Sequence, residues 1–290
     1  MGGGGDVVGA LAVAEMARAR GVDSVLGGVT WERRVIDPRP GPRRLDEVTG
    51  IERLAPAAAL AHGDTRGPDG LQFAEGRMAG LRGEPTVLFD PNPGPAAVTD
   101  GIAAAAAHTS CDLVVLVDVG GDVLAHGHEP ALASPLCDSI LLAAAPALDL
   151  PVALGVFGPC CDAELTESEM LARIAEVAQA GGLLGAWGLT PEALSVLDEA
   201  VAVVPTEASA QALACARGAL GEAHIRGGRR RVPLSPLGAI TFFFDPTAAI
   251  ASAAHGARIV TGAEDLEDAD ARLRAEGITS ELRLERAAAK

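Results

Sequence analysis

Up to about residue 190 the chain alternates short apolar runs with segments of helical period, and this alternation limits the available folds more than any other feature. The runs at 24–29, 86–89, 113–117 and 152–157 read as strands, and the segments 7–20, 96–108, 135–147 and 167–180 read as helices. Repeated βα units imply an α/β protein: a Rossmann-like, doubly wound, mainly parallel sheet in a three-layer sandwich. Thr166-x-x-Glu169 is a capping box, and Ser134-Pro135 and Thr190-Pro191 place a hydroxyl ahead of a first-turn proline, so these helix starts are well marked.

Beyond residue 190 helices are predicted over 191–200 and 207–220, strands over 231–234 and 239–244, and a last βα unit from 258–260 and 264–275. No low-complexity linker interrupts the chain. A single α/β domain over 1–290 is expected, with the part after about residue 205 forming a lid or a sheet extension.

Composition removes several function classes. A formal net charge of −16 opposes binding along nucleic acid, and 3% aromatic residues with no tyrosine leave no stacking platform for single strands. No apolar run is long and clean enough to cross a bilayer, so a cytoplasmic protein without a membrane partner is expected. The five cysteines contain no C-x-x-C pair and read as reduced, mostly buried thiols, the vicinal Cys160-Cys161 included. Arginine clusters at Arg33-Arg34, Arg43-Arg44 and Arg229-Arg230-Arg231 stand out in a chain whose only lysine is Lys290. Each can grip phosphate or carboxylate, or pair with surface acids.

The N-terminal Gly2-Gly3-Gly4-Gly5-Asp6 runs directly into a predicted helix, where backbone N–H groups and the helix dipole can hold an anion. Gly-Gly-Asp-Val recurs at Gly120-Gly121-Asp122-Val123, just after a predicted strand. A strand normally feeds such a glycine turn, yet only Met1 precedes Gly2, so the first strand is expected to be missing or minimal.

In open α/β sheets the ligand crevice lies beyond the carboxyl ends of the strands. That rule gathers Gly3, Gly4, Gly5 and Asp6, then Trp31, Glu32 and Arg33, then Asp90 and Asn92, then Asp118, Gly120, Gly121 and Asp122, and last the Gly158-Pro-Cys-Cys-Asp162 loop, as candidates. Neither G-x-G-x-x-G nor G-x-x-x-x-G-K-[ST] is present, so no NAD or P-loop fingerprint supports a dehydrogenase or a P-loop kinase. Asp118, Asp122 and Glu129 are the catalytic candidates, since neighbouring carboxylates at a sheet edge can split their pKa values and act as acid and base. Asp122, His126, His128 and Glu129 form a weaker alternative set for a divalent metal. Ser134 reads as a helix cap, whereas Ser235, between Arg229–Arg231 and Asp245, reads as part of a lid or anion clamp.

Taken together, Gly2 to Gly9, Gly27-Gly-Val-Thr-Trp-Glu-Arg33, Asp118-Val-Gly-Gly-Asp122 with Glu129 and Ser134-Pro-Leu136, the 155–165 stretch, and Leu234-Ser-Pro-Leu237 through Asp245-Pro246 resemble the prokaryotic family catalogued as domain of unknown function 1152. The likeness spans nearly the whole chain. It implies a cytosolic, single-domain α/β protein, and in that family an apolar strand usually precedes the glycines.

The expected function is an enzyme acting on a small anionic metabolite, such as a nucleotide, nucleoside or sugar phosphate. It would cleave or transfer a glycosyl or phosphoryl bond, with a slight preference for glycosyl chemistry because a carboxylate stabilises positive charge at a sugar carbon. The alternatives are a non-catalytic nucleotide-binding or sensor protein and a metal-dependent hydrolase. A homodimer is the default expectation for a protein of this class.

Overall fold

The computed structural model describes residues 1–289, in a mixed α/β arrangement. The strands are β1 (Gly27–Val29), β2 (Thr49–Ala55), β3 (Ala58–Arg66), β4 (Thr86–Phe89), β5 (Val114–Val119), β6 (Val152–Phe157), β7 (Leu183–Gly188), β8 (Gly221–Ile225), β9 (Arg230–Leu234) and β10 (Ile240–Phe244). The helices are α1 (Asp6–Arg18), α2 (Ala74–Arg82), α3 (Gly94–Thr109), α4 (Pro135–Ala144), α5 (Glu167–Gln179), α6 (Pro191–Val203), α7 (Glu207–Ala216), α8 (Pro246–Ala251), α9 (His255–Val260), α10 (Leu266–Ala275) and α11 (Glu281–Ala288). None is long and apolar enough to cross a membrane.

The strands form two four-stranded sheets, ordered β1-β4-β3-β2 and β5-β6-β10-β7, and a separate β8-β9 hairpin. Only β1–β4 and β5–β6 pair in parallel; every other pairing is antiparallel, which corrects the expectation of one mainly parallel sheet. Two features account for the difference. The segment 49–66 folds back as the β2–β3 hairpin, and the Phe-rich β10 inserts antiparallel between β6 and β7. The segment 258–260, expected as a strand, lies in α9, where Ala257 and Val260 are fully buried.

In the second sheet, side chains alternate between two cores, as strand geometry requires. Leu116, Leu154, Val156 and Phe244 pack with Ile140 of α4 and Ala257 of α9, while Val117, Val119 and Phe157 pack with Val8 and Leu11 of α1. Strands buried on both faces read as continuous apolar runs, which is the pattern of β5 and β6. Each fully buried Leu or Val contributes roughly 1.5–3 kcal/mol, so these two packed faces hold the carboxyl ends of β5 and β6 firmly in place.

The expected helix starts are largely borne out. Thr166 accepts a hydrogen bond from the Glu169 N–H, Glu169 accepts one from the Thr166 N–H, and Thr190 accepts from the Ala193 N–H. Ser134 precedes α4, but its hydroxyl does not cap the helix.

Candidate functional site

Three strands deliver their C-terminal loops to one place. Val29 of β1 leads to Trp31, Glu32 and Arg33; Val119 of β5 leads to Gly120, Gly121 and Asp122; Phe157 of β6 leads to Cys160, Cys161 and Asp162. The last two loops are tied together, since the Cys160 N–H donates to the Gly120 carbonyl at 2.7 Å and the Gly120 N–H donates to Phe157 O at 3.0 Å. The N-terminal glycine turn joins them through the Gly4 N–H, which donates to Trp31 O at 2.8 Å. Around these loops lies a cavity of about 510 Å³, lined by Gly2 to Asp6, by Trp31, Glu32 and Arg33, and by both Asp118 and Asp122.

Glycine is required at two of these positions. At Gly3, with φ +89°, a Cβ would stand 2.3 Å from Trp31 O, and at Gly120, with φ +118°, a Cβ would stand 2.2 Å from the carboxyl carbon of Asp162. Both sites need a backbone conformation that side chains rarely adopt and a neighbour closer than any Cβ allows. Gly120 therefore serves the site by making room for Asp162 instead of lining the cavity, and Gly121 sits behind it against Met170. At the other turn, the Gly2 N–H donates to Asp6 Oδ2 at 2.7 Å, so part of the expected anion cradle is turned inward onto a carboxylate.

The cavity floor is acidic. Asp118, Asp122, Asp138, Asp162 and Glu164 are all buried, and half-buried Asp6 lies beside them. Burial, then the neighbouring Asp6, pushes the Asp118 carboxyl up to about 7. Burial and mutual repulsion also raise Asp122, Asp138 and Asp162 well above the usual carboxylate range, with Glu164 the main neighbour of Asp122 and Asp162. Glu164 is held firmly. Its Oε2 accepts from the N–H groups of Ala133 (2.7 Å) and Ser134 (2.9 Å), and its Oε1 accepts from the Ser134 hydroxyl at 2.6 Å. The Ser134 hydroxyl, expected at the helix, is used here. Asp118 Oδ2 accepts from the Val123 N–H at 3.3 Å. One oxygen each of Asp122, Asp138 and Asp162 is buried with no hydrogen-bond partner among the described residues.

The rim is basic. The β8–β9 turn brings Arg226, Arg229 and Arg230 to the cavity, opposite Arg33. Arg33 pairs with Glu207 at 2.8 Å, and Arg230 lies 3.4 Å from Glu164. The Arg226 guanidinium has no hydrogen-bond or ion-pair partner among the described residues, and burial together with the like charges of Arg33 and Arg230 lowers its pKa against the pull of Glu164 and Glu207. Helix α11 closes another side: Glu281 accepts from the Leu136 and Cys137 N–H groups at 2.9 and 2.7 Å, and Glu285 accepts from the Trp31 indole at 3.2 Å.

Other sequence candidates lie elsewhere or act as braces. Asp90 accepts from Leu45 N–H (3.0 Å) and from the Asn92 side chain (2.7 Å), so this pair shapes a loop away from the cavity. Ser235 caps the short turn that follows it, accepting from the Leu237 N–H, and lies outside the cavity. Glu129 also lies outside the cavity. Burial pushes its carboxyl up, but the His126 and Gly127 amides, each at 2.8 Å, outweigh this and hold it below its usual range. A carboxylate locked in that way braces its loop. Glu32 does line the cavity, and one of its oxygens accepts from the Ala74 N–H at the start of α2.

Three groups bring possible ligand atoms within 4.8 Å of one another: Asp122 with Asp162 and Glu164, Asp6 with Asp118 and Asp138, and His126 with His128 and Glu129. Asp122 is therefore grouped with Asp162 and Glu164 instead of with the histidines. His126 contacts Arg173 and Glu176, each at 2.8 Å, and stacks on His255 with centroids 3.9 Å apart, so it is already well engaged. Asp138, Glu164 and Arg226 escaped the sequence reading; the first resembles an ordinary first-turn acid, and the others become site residues only through long-range packing.

The chain belongs to the family described as protein of unknown function (DUF1152), whose model matches residues 1–289. No curated protein and no solved structure matches it.

Proposed function

We propose that this chain is an enzyme that hydrolyses or transfers the phosphoryl group of a small phosphorylated metabolite, a nucleotide or a sugar phosphate. One observation carries the reading: Arg226, whose guanidinium has no hydrogen-bond or ion-pair partner among the described residues, stands with Arg33 and Arg230 against only Glu164 and Glu207, and opens on the same cavity as a buried group of carboxyls. Crowded guanidinium groups are costly without an anion, and phosphate oxygens suit their planar donors.

Arg230 stands next to Glu164, so an anion on the rim lies against the acidic floor. This favours reaction at the phosphoryl bond over the glycosyl bond. Asp118, still partly protonated near neutral pH, gives its proton to the leaving oxygen as the P–O bond breaks, while water or an acceptor hydroxyl attacks phosphorus and its proton returns the Asp118 carboxylate to the acid. The guanidinium groups balance the negative charge on the transferring group.

Thermal unfolding in the presence of nucleoside phosphates, sugar phosphates and pyrophosphate tests the substrate class, since a ligand of the folded state raises the melting temperature with concentration. Product analysis then separates released phosphate from released base or sugar. Asp118→Asn is expected to keep binding and lose about 10²–10⁴ in turnover. If no phosphate compound stabilises the protein, the reading fails. A bound ligand that is never turned over identifies a sensor.

A further inference from the structure

We propose that Asp122, Asp162 and Glu164 bind one hard divalent cation, Mg²⁺ or Mn²⁺, through oxygen ligands alone. Each offers a carboxylate oxygen within 4.8 Å of the other two, close to the spacing that ligands around a common ion require.

Proximity of acids is not the whole argument. Asp122 and Asp162, each only 5% exposed, carry a buried Oδ2 with no partner among the described residues. A buried, unsatisfied carboxylate oxygen is costly, and two of them on members of one close group of acids point to a missing positive partner. The surrounding residues fix the remaining atoms. Asp162 Oδ1 accepts from the Glu164 N–H at 3.2 Å, and Ser134 and Ala133 hold Glu164 through three hydrogen bonds. Such bonds orient ligands without using all their lone pairs. The missing side chain at Gly120 lets the Asp162 carboxyl approach. Arg230 is a partial counter-charge, 3.4 Å from Glu164, but one guanidinium does not offset three carboxylates.

An all-oxygen, all-carboxylate set selects hard cations and leaves positions for water or a substrate oxygen. A cation here would touch the anion held at Arg230, so the site deepens the phosphoryl reading by supplying its counter-ion. It is measured without any substrate, so the two can fail separately.

Metal-stripped full-length protein titrated with Mn²⁺, followed by calorimetry and by the loss of the free-ion EPR signal, is expected to bind one ion per chain and to melt at a higher temperature as Mn²⁺ is added. Asp122→Asn and Asp162→Asn should each weaken binding by at least ~10-fold, while Asp138→Asn, in the neighbouring acidic group, acts only through its charge on Asp122 and should weaken it less. Without metal both variants should melt no lower than the parent, because each removes a buried like charge; this confirms that they fold. Wild-type protein that neither binds nor is stabilised by Mn²⁺ overturns the site. Loss of binding in Asp138→Asn but not in the other two overturns this set of ligands. Failure of the cation site leaves phosphate binding at the arginines untouched, and failure of phosphate binding leaves the Mn²⁺ result standing.

Discussion

Arg230 places a guanidinium nitrogen 3.4 Å from Glu164 Oε1, so the basic rim and the acidic floor meet at an ion pair. Arg226, a few residues earlier, makes no such ion pair among the described residues, although Glu164 and Glu207 lie near enough to oppose the like charges of Arg33 and Arg230. A charge-assisted hydrogen bond contributes about 1.5–3 kcal/mol, which corresponds to ~10–100-fold in affinity. Arg226→Ala should weaken pyrophosphate or ribose 5-phosphate binding by that factor in calorimetry, with little change in thermal stability because the repulsion of Arg33 and Arg230 offsets the attraction of Glu164 and Glu207. Arg230→Ala should weaken binding and also lower stability, since it leaves Glu164 without its cation. Equal affinity in Arg226→Ala and wild type would place the anion elsewhere.

Gly120→Ala tests the close approach that seats Asp162. The new methyl would stand 2.2 Å from the Asp162 carboxyl carbon, at a backbone φ of +118°. Left-handed strain and overpacking together are expected to cost about 2–5 kcal/mol, read as a fall in the urea midpoint. Mn²⁺ affinity should fall with it, because Asp162 must move. A variant as stable as wild type would mean that the two turns separate easily.

Thr166→Ala probes the start of α5, two residues beyond Glu164. The Thr166 hydroxyl accepts from the Glu169 N–H at 3.3 Å and caps α5 at an exposed end. Its loss should cost about 1 kcal/mol while leaving phosphate and Mn²⁺ binding as they are. A change in either affinity would show that α5 is coupled to the cavity.

Much of the site is legible in sequence because the carboxyl ends of β1, β5 and β6 follow the crevice rule, which gathers Trp31, Glu32, Arg33, Asp118 and Asp122 without any structure. The rule misplaces Asp90 and Asn92 because their hydrogen bonds are satisfied within a loop before they can reach a ligand. Sheet direction was not legible. A run such as Ile240–Phe244 signals a buried strand but carries no information on its partner or orientation, and β10 turns out antiparallel to both neighbours. Arg258-Ile-Val260 shows the same weakness, since three residues are too few to separate strand from buried helix. Asp138 and Arg226 become functional candidates only when α4 and the β8–β9 turn pack over the same cavity, a juxtaposition between distant segments that no local spacing records.

Glu32 predicts a pH dependence of stability. Burial is the main cause that lifts its carboxyl from 4.5 to about 7, against the pull of the Ala74 amide and of Arg77 and Arg33, while Asp37 adds to the rise and buried Glu75 lies close by. Because the folded protein holds this proton more tightly than the unfolded chain, its contribution is fully present below pH 4.5. It is lost as the pH rises toward 7 and constant above that. At 1.36 kcal/mol per pH unit the loss amounts to about 3 kcal/mol. Glu32→Gln keeps an oxygen for the Ala74 N–H but cannot titrate, so in urea unfolding it should match wild type near pH 4.5 and exceed it by about 3 kcal/mol at pH 8. Glu32 is also part of what raises buried Glu75, so the comparison reads position 32 together with its effect on Glu75. Parallel stability profiles for the two proteins from pH 4.5 to 8 would show that Glu32 is ionised in the folded state at the same pH as in the unfolded chain.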